Sequence, residues 1–397
     1  MEIAPTLYFV SETGMDDTLP ESTAAAPPGH NGAAPVSLDD LDRRIMKMLR
    51  HDGRLAYAEI ARAVGVSKPT VRKRVDRLVE TGAIVIMARV NPAPIGFPVD
   101  ALICVRVVRG RIKEVGAKLA AMENVAYLAY LAGSYDVLIE AFLPDTEGLF
   151  RFLNEALAEI DGISHTETWH VLRTEKFFYN WEGEDVGREP SSTPVSASQK
   201  DEALVRQGSM PHGTLMLDDL DRRIMKMLRH DGRKSYAEIA RAAGVSEPTA
   251  RKRVDRLVHV GAIAIMARVD PAPIGFPINA YVGVRVARGR VREVGRKLAE
   301  MENVAYLAYL AGSFDIIIQA FLPDVEGLFT LLNESLEGVD GITHTETWHV
   351  LRTGKFFYNW DGEDVHLEPA PRTKVAGRKR PESADLPRPV PEETPKT

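Results

Sequence analysis

The chain has 397 residues, 45% hydrophobic and 27% charged, with a formal net charge of −6. Length points to two or three domains, and the composition to a soluble globular protein with a sizeable core. Cys104 is the only cysteine, which excludes an intrachain disulfide and fits a reducing cytoplasm; runs such as VAYLAYLAG at 125–133 are too short to cross a bilayer, and the N-terminus has no basic segment followed by a long apolar one.

Residues 1–37, rich in Pro, Ala, Ser and Glu, read as a disordered tail. A duplication follows. Residues 39–186 align without a gap to 218–365, with roughly three quarters of positions identical. The period is too long for a stacked solenoid, so it marks a duplicated multi-element unit. Residues 187–217 read as a flexible linker and 366–397 as a second disordered tail, whose RKRP cluster at 378–381 is a solvated charge cluster or an extra phosphate contact.

Each copy opens with a basic module, 38–90 and 218–269. Residues 39–90 carry about 12 Lys/Arg against about 7 Asp/Glu, and 218–269 the same. Leu41, Ile45, Met48 and Leu49 recur at helical spacing and predict a first helix ending near Gly53. Tyr57, Ile60, Ala61 and Val64 predict a second, stopped by Gly65. Ser67 then caps a third helix with Pro69 in its first turn, where a missing N–H costs little. This is a helix-turn-helix pattern. On the third helix Val71, Val75 and Leu78 form the buried stripe. At about 100° per residue, Thr70, Lys73, Arg74 and Arg77 fall on an arc facing away from it, with Arg72 placed to pair with Asp76. A hydroxyl and three cations near a helix start suit a DNA major groove and its phosphates, although a plain solvated basic face would look the same in isolation.

The prolines of NPAPIGFP at 91–98 forbid a continuing helix and mark a boundary. An acidic module follows, 99–186 and 278–365; the first holds about 8 Lys/Arg against about 15 Asp/Glu. DALICVRVVRG alternates as a strand, RIKEVGAKLAAMENV is helical, AYLAYLAG and YDVLIEAFL are two strands around Gly133-Ser134, TEGLFRFLNEALAEIDG is a second helix, and SHTETWHVLRTEKFF a last strand. The order βαββαβ is ferredoxin-like, so the fold class is α+β: two copies of a winged-helix-like helix-turn-helix followed by a ferredoxin-like domain. In HTETWH, His165 and Glu167 share a strand face that His170 does not, which leaves a zinc set incomplete, so no metal or cofactor is expected.

The segments LDDLDRRIMKMLRHDGR, YAEIARAVGVS, TVRKRVDRLVETGAI and VNPAPIGFP resemble the Lrp/AsnC (feast/famine) transcription regulators, and the likeness continues through both copies nearly end to end. The resemblance implies double-stranded DNA as partner, small-molecule effectors, often amino acids, and self-association through the ferredoxin-like domains. It places the protein in the cytoplasm on the nucleoid, with no membrane partner. It puts DNA against Ser67, Lys68, Thr70, Arg72, Lys73, Arg74 and Arg77, and against Ser246, Glu247, Thr249, Arg251, Lys252, Arg253 and Arg256. It puts the effector against Gly133, Ser134, Tyr135 and Asp136 with Thr166 and Thr168, and against Gly312, Ser313, Phe314 and Asp315 with Thr345 and Thr347. Backbone N–H groups at Gly133 suit a carboxylate and Asp136 an amine; read as geometry alone, Gly133 makes the hairpin turn and Asp136 ends it.

Two copies in one chain raise the prospect of an intramolecular pseudo-dimer. The exchange of Lys68 for Glu247 predicts unequal DNA half-sites, because a first-turn Glu complements the helix dipole but repels phosphate. An architectural DNA-compacting protein is the alternative. An enzyme is disfavoured, since no phosphate loop, zinc set or nucleophile–base pair stands in context.

Overall fold

The structure is a computed structural model, and residues 36–177 and 215–356 are described. Nearly all of both tails and of the linker, and the whole RKRP cluster, lie outside those residues.

In the first copy α1 (Asp40–His51), α2 (Tyr57–Val64) and α3 (Lys68–Glu80) pack around Ile45, Leu49, Ile60, Val71, Val75 and Leu78, all buried. Asp39 caps α1 in a reciprocal box with Asp42. Gly65 ends α2 in the left-handed region at φ 76°, and the Ser67 hydroxyl accepts from the Thr70 N–H to start α3. β1 (Ile84–Val90) leads through a single 3-10 turn, Ala93–Ile95, into the second module: β2 (Val99–Val107), α4 (Ile112–Ala121), β3 (Val125–Ala132), β4 (Val137–Leu143), α5 (Thr146–Arg151) and β5 (Ile163–Lys176). The helix expected through residue 162 is shorter. α5 widens at once into a π-helical turn over Phe152–Ala156, with the Leu157 N–H donating to the Phe152 carbonyl at 3.0 Å. Widening the turn brings Phe152 and Leu157 onto nearly one face, and both are buried there.

The second copy repeats the series as α6 (Asp219–His230), α7 (Tyr236–Ala243), α8 (Glu247–His259), β6 (Ile263–Val269), β7 (Ile278–Val286), α9 (Val291–Glu300), β8 (Val304–Ala311), β9 (Ile316–Leu322), α10 (Val325–Thr330) and β10 (Ile342–Lys355).

The two copies pair with each other within the chain, at two levels. β1 and β6 form an antiparallel ribbon, Ile84 opposite Val269 and Val90 opposite Ile263. The ferredoxin-like sheets, β3-β4-β2-β5 and β8-β9-β7-β10, join at both edges into one closed eight-stranded antiparallel barrel. β5 and β10, 14 residues each, make this possible. The first half of β5 pairs with β2 of its own copy, and from His170 onward it pairs with β8 of the other; β10 does the same with β7 and β3. Closure removes the open edges that would otherwise invite aggregation. Inside the barrel Trp169 and Trp348 are fully buried with ring centroids 5.3 Å apart, each edge-on to Phe314 at 5.5 Å. The outer face of each sheet is covered by its own helices over separate aliphatic cores. Among the described residues, no helix is long and apolar enough to cross a membrane.

Candidate nucleic-acid interface

The turn after α1 fixes how the two DNA-reading modules face one another. The Gly53 N–H donates to the Ile265 carbonyl at 2.9 Å, and the Gly232 N–H to the Ile86 carbonyl at 2.8 Å. A Cβ on Gly53 would stand 2.9 Å from the Met266 Cα, and one on Gly232 2.9 Å from the Met87 amide, so the approach needs glycine. The next residue completes the clamp. Arg54 donates through Nε to the Gly232 carbonyl at 2.8 Å and through Nη2 to the Lys234 carbonyl at 2.7 Å; Arg233 returns the pattern to Gly53 at 2.8 Å and Leu55 at 3.0 Å. Each guanidinium also lies over a tyrosine of the other copy, Arg54 on Tyr236 and Arg233 on Tyr57. The sequence pattern assigns Gly53 a helix stop and assigns no role to Arg54 or Arg233; the signal for the clamp is the repeated HDGR.

On the third helices the structure divides the expected cationic arc. Arg74 donates through Nη1 to Asp39 Oδ2 at 2.5 Å and to Asp42 Oδ1 at 3.2 Å, and Arg77 donates to the fully buried Asp42. Arg253 and Arg256 treat Asp218 and Asp221 in the same way. The Asp42 N–H and the Arg74 guanidinium hold the Asp39 carboxyl below its ordinary range. The reading that Arg74 and Arg77 look outward with Lys73 is therefore corrected. A wheel drawn on one helix places them away from Val71 and Val75, but α1 packs on that flank and offers carboxylates. Buried Asp42 would be costly without them.

The face that remains exposed is Lys68, Pro69, Arg72, Lys73 and Asp76. Arg72 pairs with Asp76, Nε to Oδ2 at 3.6 Å, as its spacing predicts. Lys68 and Lys73 make no ion pair among the described residues. Ser67 and Thr70 are tied to each other, 2.8 Å between hydroxyls, at the helix start. In the second copy Ser246 and Thr249 repeat that pair, and Lys252 is exposed. Arg251, however, turns back to Glu247 at 3.8 Å and lies over Tyr236 at 4.5 Å from the ring centroid. One acidic substitution thus subtracts Lys68 and also engages the neighbouring arginine.

The AGSYD and AGSFD hairpins stand at the barrel seam. Gly133 approaches so closely that a Cβ would sit 2.8 Å from Trp348 Cδ1, and one on Gly312 2.5 Å from Trp169 Cδ1. The Ser134 hydroxyl accepts from Trp348 Nε1 at 2.8 Å and donates to Glu346; Ser313 accepts from Trp169 Nε1 at 3.0 Å. Tyr135 donates to Glu167, whereas Phe314 has no hydroxyl to offer Glu346. Burial pushes the Glu167 carboxyl upward, but donation from Ser313, Tyr135 and Trp169 outweighs it and holds the group low. Asp136 Oδ2 accepts from the Val107 N–H at 2.7 Å, and Asp315 from Val286 at 2.7 Å. Asp136, expected as a contact for an amine, thus commits Oδ2 to anchoring its own hairpin to the neighbouring strand. Thr166 and Thr168, half-buried, project from the opposite face of β5 to Trp169; each hairpin is brought instead to the strand of the other copy, where Gly133 meets the Thr347 carbonyl. Among the described residues, no group of three His, Cys, Asp or Glu side chains comes together in a way that could hold a metal ion.

With this geometry in view, the family models decide the kinship. An AsnC-type helix-turn-helix domain matches residues 38–79 and 217–258, and an Lrp/AsnC ligand binding domain matches 100–180 and 279–359. The chain belongs to the Lrp/AsnC family. It is a tandem member, an Lrp/AsnC-type transcription regulator with two DNA-binding and two ligand-binding domains. An uncharacterised HTH-type transcriptional regulator of Pyrococcus horikoshii is 38% identical over 145 residues, 36% of this chain and 92% of the relative. The HTH-type transcriptional regulator Ptr1 of Methanocaldococcus jannaschii is 35% identical over 141 residues, 35% of this chain and 95% of the relative. These Lrp/AsnC relatives therefore correspond to one copy. The siroheme decarboxylase NirDL covers 82% of this chain and 96% of its own at a TM-score of 0.56 and 17% identity, a likeness of fold alone.

Proposed function

We propose that this tandem Lrp/AsnC regulator binds double-stranded DNA sequence-specifically through both third helices at once, with the first copy gripping more tightly than the second. The observation that carries the reading is the clamp of Gly53-Arg54 and Gly232-Arg233 with the β1–β6 ribbon, which holds two basic helix-turn-helix modules as one covalent pair. Covalent linkage removes the concentration dependence that single-copy readers face, raising the second module to roughly millimolar effective concentration. Lys68, Arg72 and Lys73 are the proposed DNA contacts of the first copy, with Ser67 and Thr70 at the helix start. Lys252 is the main cationic contact of the second, with Ser246 and Thr249. Arg74, Arg77, Arg253 and Arg256 act behind them by holding each third helix on the first.

The ligand-binding domains are proposed to take a small amino-acid-like effector. With Asp136 and Asp315 engaged by strand amides, the candidate contacts are the hairpin backbones and the threonines of the opposite copy, Thr345 and Thr347 for the first hairpin and Thr166 and Thr168 for the second. A selection of random duplexes by the full chain, repeated with and without pooled amino acids, tests both parts. A motif with two unequal halves, shifted in affinity by at least one amino acid, is the expected result. Sequence-tolerant retention unmoved by any of them would favour an architectural protein instead.

A further inference from the structure

The two copies differ sharply at one rim of the barrel. β2 carries Asp100 and β4 carries Glu140, where β7 and β9 carry Asn279 and Gln319: both acids are exchanged for their own amides. Asp100 shares strand parity with Leu102 and Cys104, and Glu140 with Leu138, all in the barrel core, so both acids face inward. The register sets Asp100 opposite Phe142 and Leu102 opposite Glu140, which leaves the two acids diagonal neighbours on that face. In the second copy the same places hold a neutral pair, Gln319 Nε2 donating to Asn279 Oδ1 at 3.0 Å. In the first, Asp100 Oδ1 is shut off from solvent with no hydrogen-bond partner.

The groups facing this pair come from four strands. Among the described residues, Arg89 of β1 is the charged one; the rest are the hydroxyls of Tyr127 on β3, Tyr281 on β7 and Tyr306 on β8. Two carboxylates against one guanidinium leave a net negative charge in a poorly solvated place, and one proton removes it. Burial, reinforced by Glu140, drives the Asp100 carboxyl well above its ordinary range. Burial also drives Glu140 up to about 7, with Arg89 opposing both shifts. The second copy balances the corresponding Arg268 differently: its acidic neighbour is Asp270, where the first copy has Asn91.

We propose that Asp100 and Glu140 share a single proton, and that this pair is a one-proton switch at the joint between the first DNA-reading module and the barrel, absent from the second copy. The joint is physical, since Arg89 lies on the exit strand of the helix-turn-helix and stacks on Phe177, just past β5, at 3.8 Å. The sign follows from the raised folded values. The stability that the proton confers through Glu140 is fully present below the ordinary carboxylate value of 4.5 and is lost as pH rises through about 7, and the raised Asp100 carboxyl contributes with the same sign.

Transplanting the arrangement of the second copy into the first, Asn91→Asp with Asp100→Asn and Glu140→Gln, should abolish the switch. Between pH 5 and pH 8 the parent full-length chain should lose about 3–6 °C of Tm more than the transplant. Infrared difference spectra of the parent against Glu140→Gln should show a protonated-carboxyl band at pH 6 that is gone by pH 8. Parallel Tm profiles, or no carboxyl band titrating near neutrality, would overturn the proposal. The single substitution supplies the spectral test even where the triple variant folds poorly.

Discussion

The third helices of the two copies, α3 and α8, are near-identical in sequence yet present different charge where each begins. Both bury the same stripe, Val71, Val75 and Leu78 against Ala250, Val254 and Leu257, and both lock two arginines onto the first helix. They part at Lys68 and Glu247. The first copy keeps Lys68 and Lys73 exposed with Arg72 held only to Asp76, whereas the second turns Arg251 onto Glu247 and Tyr236. The lesson is that duplication has preserved what holds each module in place and varied what it offers to a partner.

The strongest way to break the comparison is to attack what the copies share. Replacing Asp42 by Ala removes a fully buried carboxylate that two arginines and a capping box depend on, and should cost about 3 kcal/mol by denaturant unfolding. Asp221→Ala should cost nearly the same, because its partners match one for one. A large inequality between the two would mean the modules are not braced alike. Next, Gly133→Ala forces a methyl against Trp348 at the barrel seam, and Gly312→Ala one against Trp169. Each should lower stability by about 1–3 kcal/mol and alter tryptophan emission on the strand of the other copy. Unchanged emission would place the hairpins away from that seam.

Sharpening the comparison needs a gentler change. Glu247→Lys should release Arg251, tighten DNA binding and steepen its salt dependence by about one phosphate contact. Lys68→Glu should do the reverse and bring the two half-sites toward equality. A salt slope unmoved by Glu247→Lys would put that residue away from the DNA backbone.

Much of this architecture was legible in the chain. The constant offset between 39–186 and 218–365 announces the duplication, and the Ser67 and Ser246 caps, the Gly65 stop and the proline-marked boundary each place an element by local chemistry. The candidate interface was legible only in part. Lys73 is exposed as the helical wheel requires, but Arg74 and Arg77 are not free, because a wheel knows nothing of the carboxylates that α1 brings to that flank. The anchoring of Asp136 is not legible, since its strand partner, the Val107 N–H, is 29 residues away in sequence.

By itself, then, the sequence determined the number of units, the type and order of nearly every element, the family resemblance and the asymmetry at Lys68 and Glu247. These depend on side-chain periodicity, capping and turn chemistry, which act over a few residues. Only the tertiary structure decided that the copies clamp each other through Arg54 and Arg233, close one barrel from two sheets and set Asp100 beside Glu140. Those outcomes rest on backbone carbonyls, strand edges and carboxyls meeting across large separations in sequence, where only the folded packing fixes which groups become neighbours.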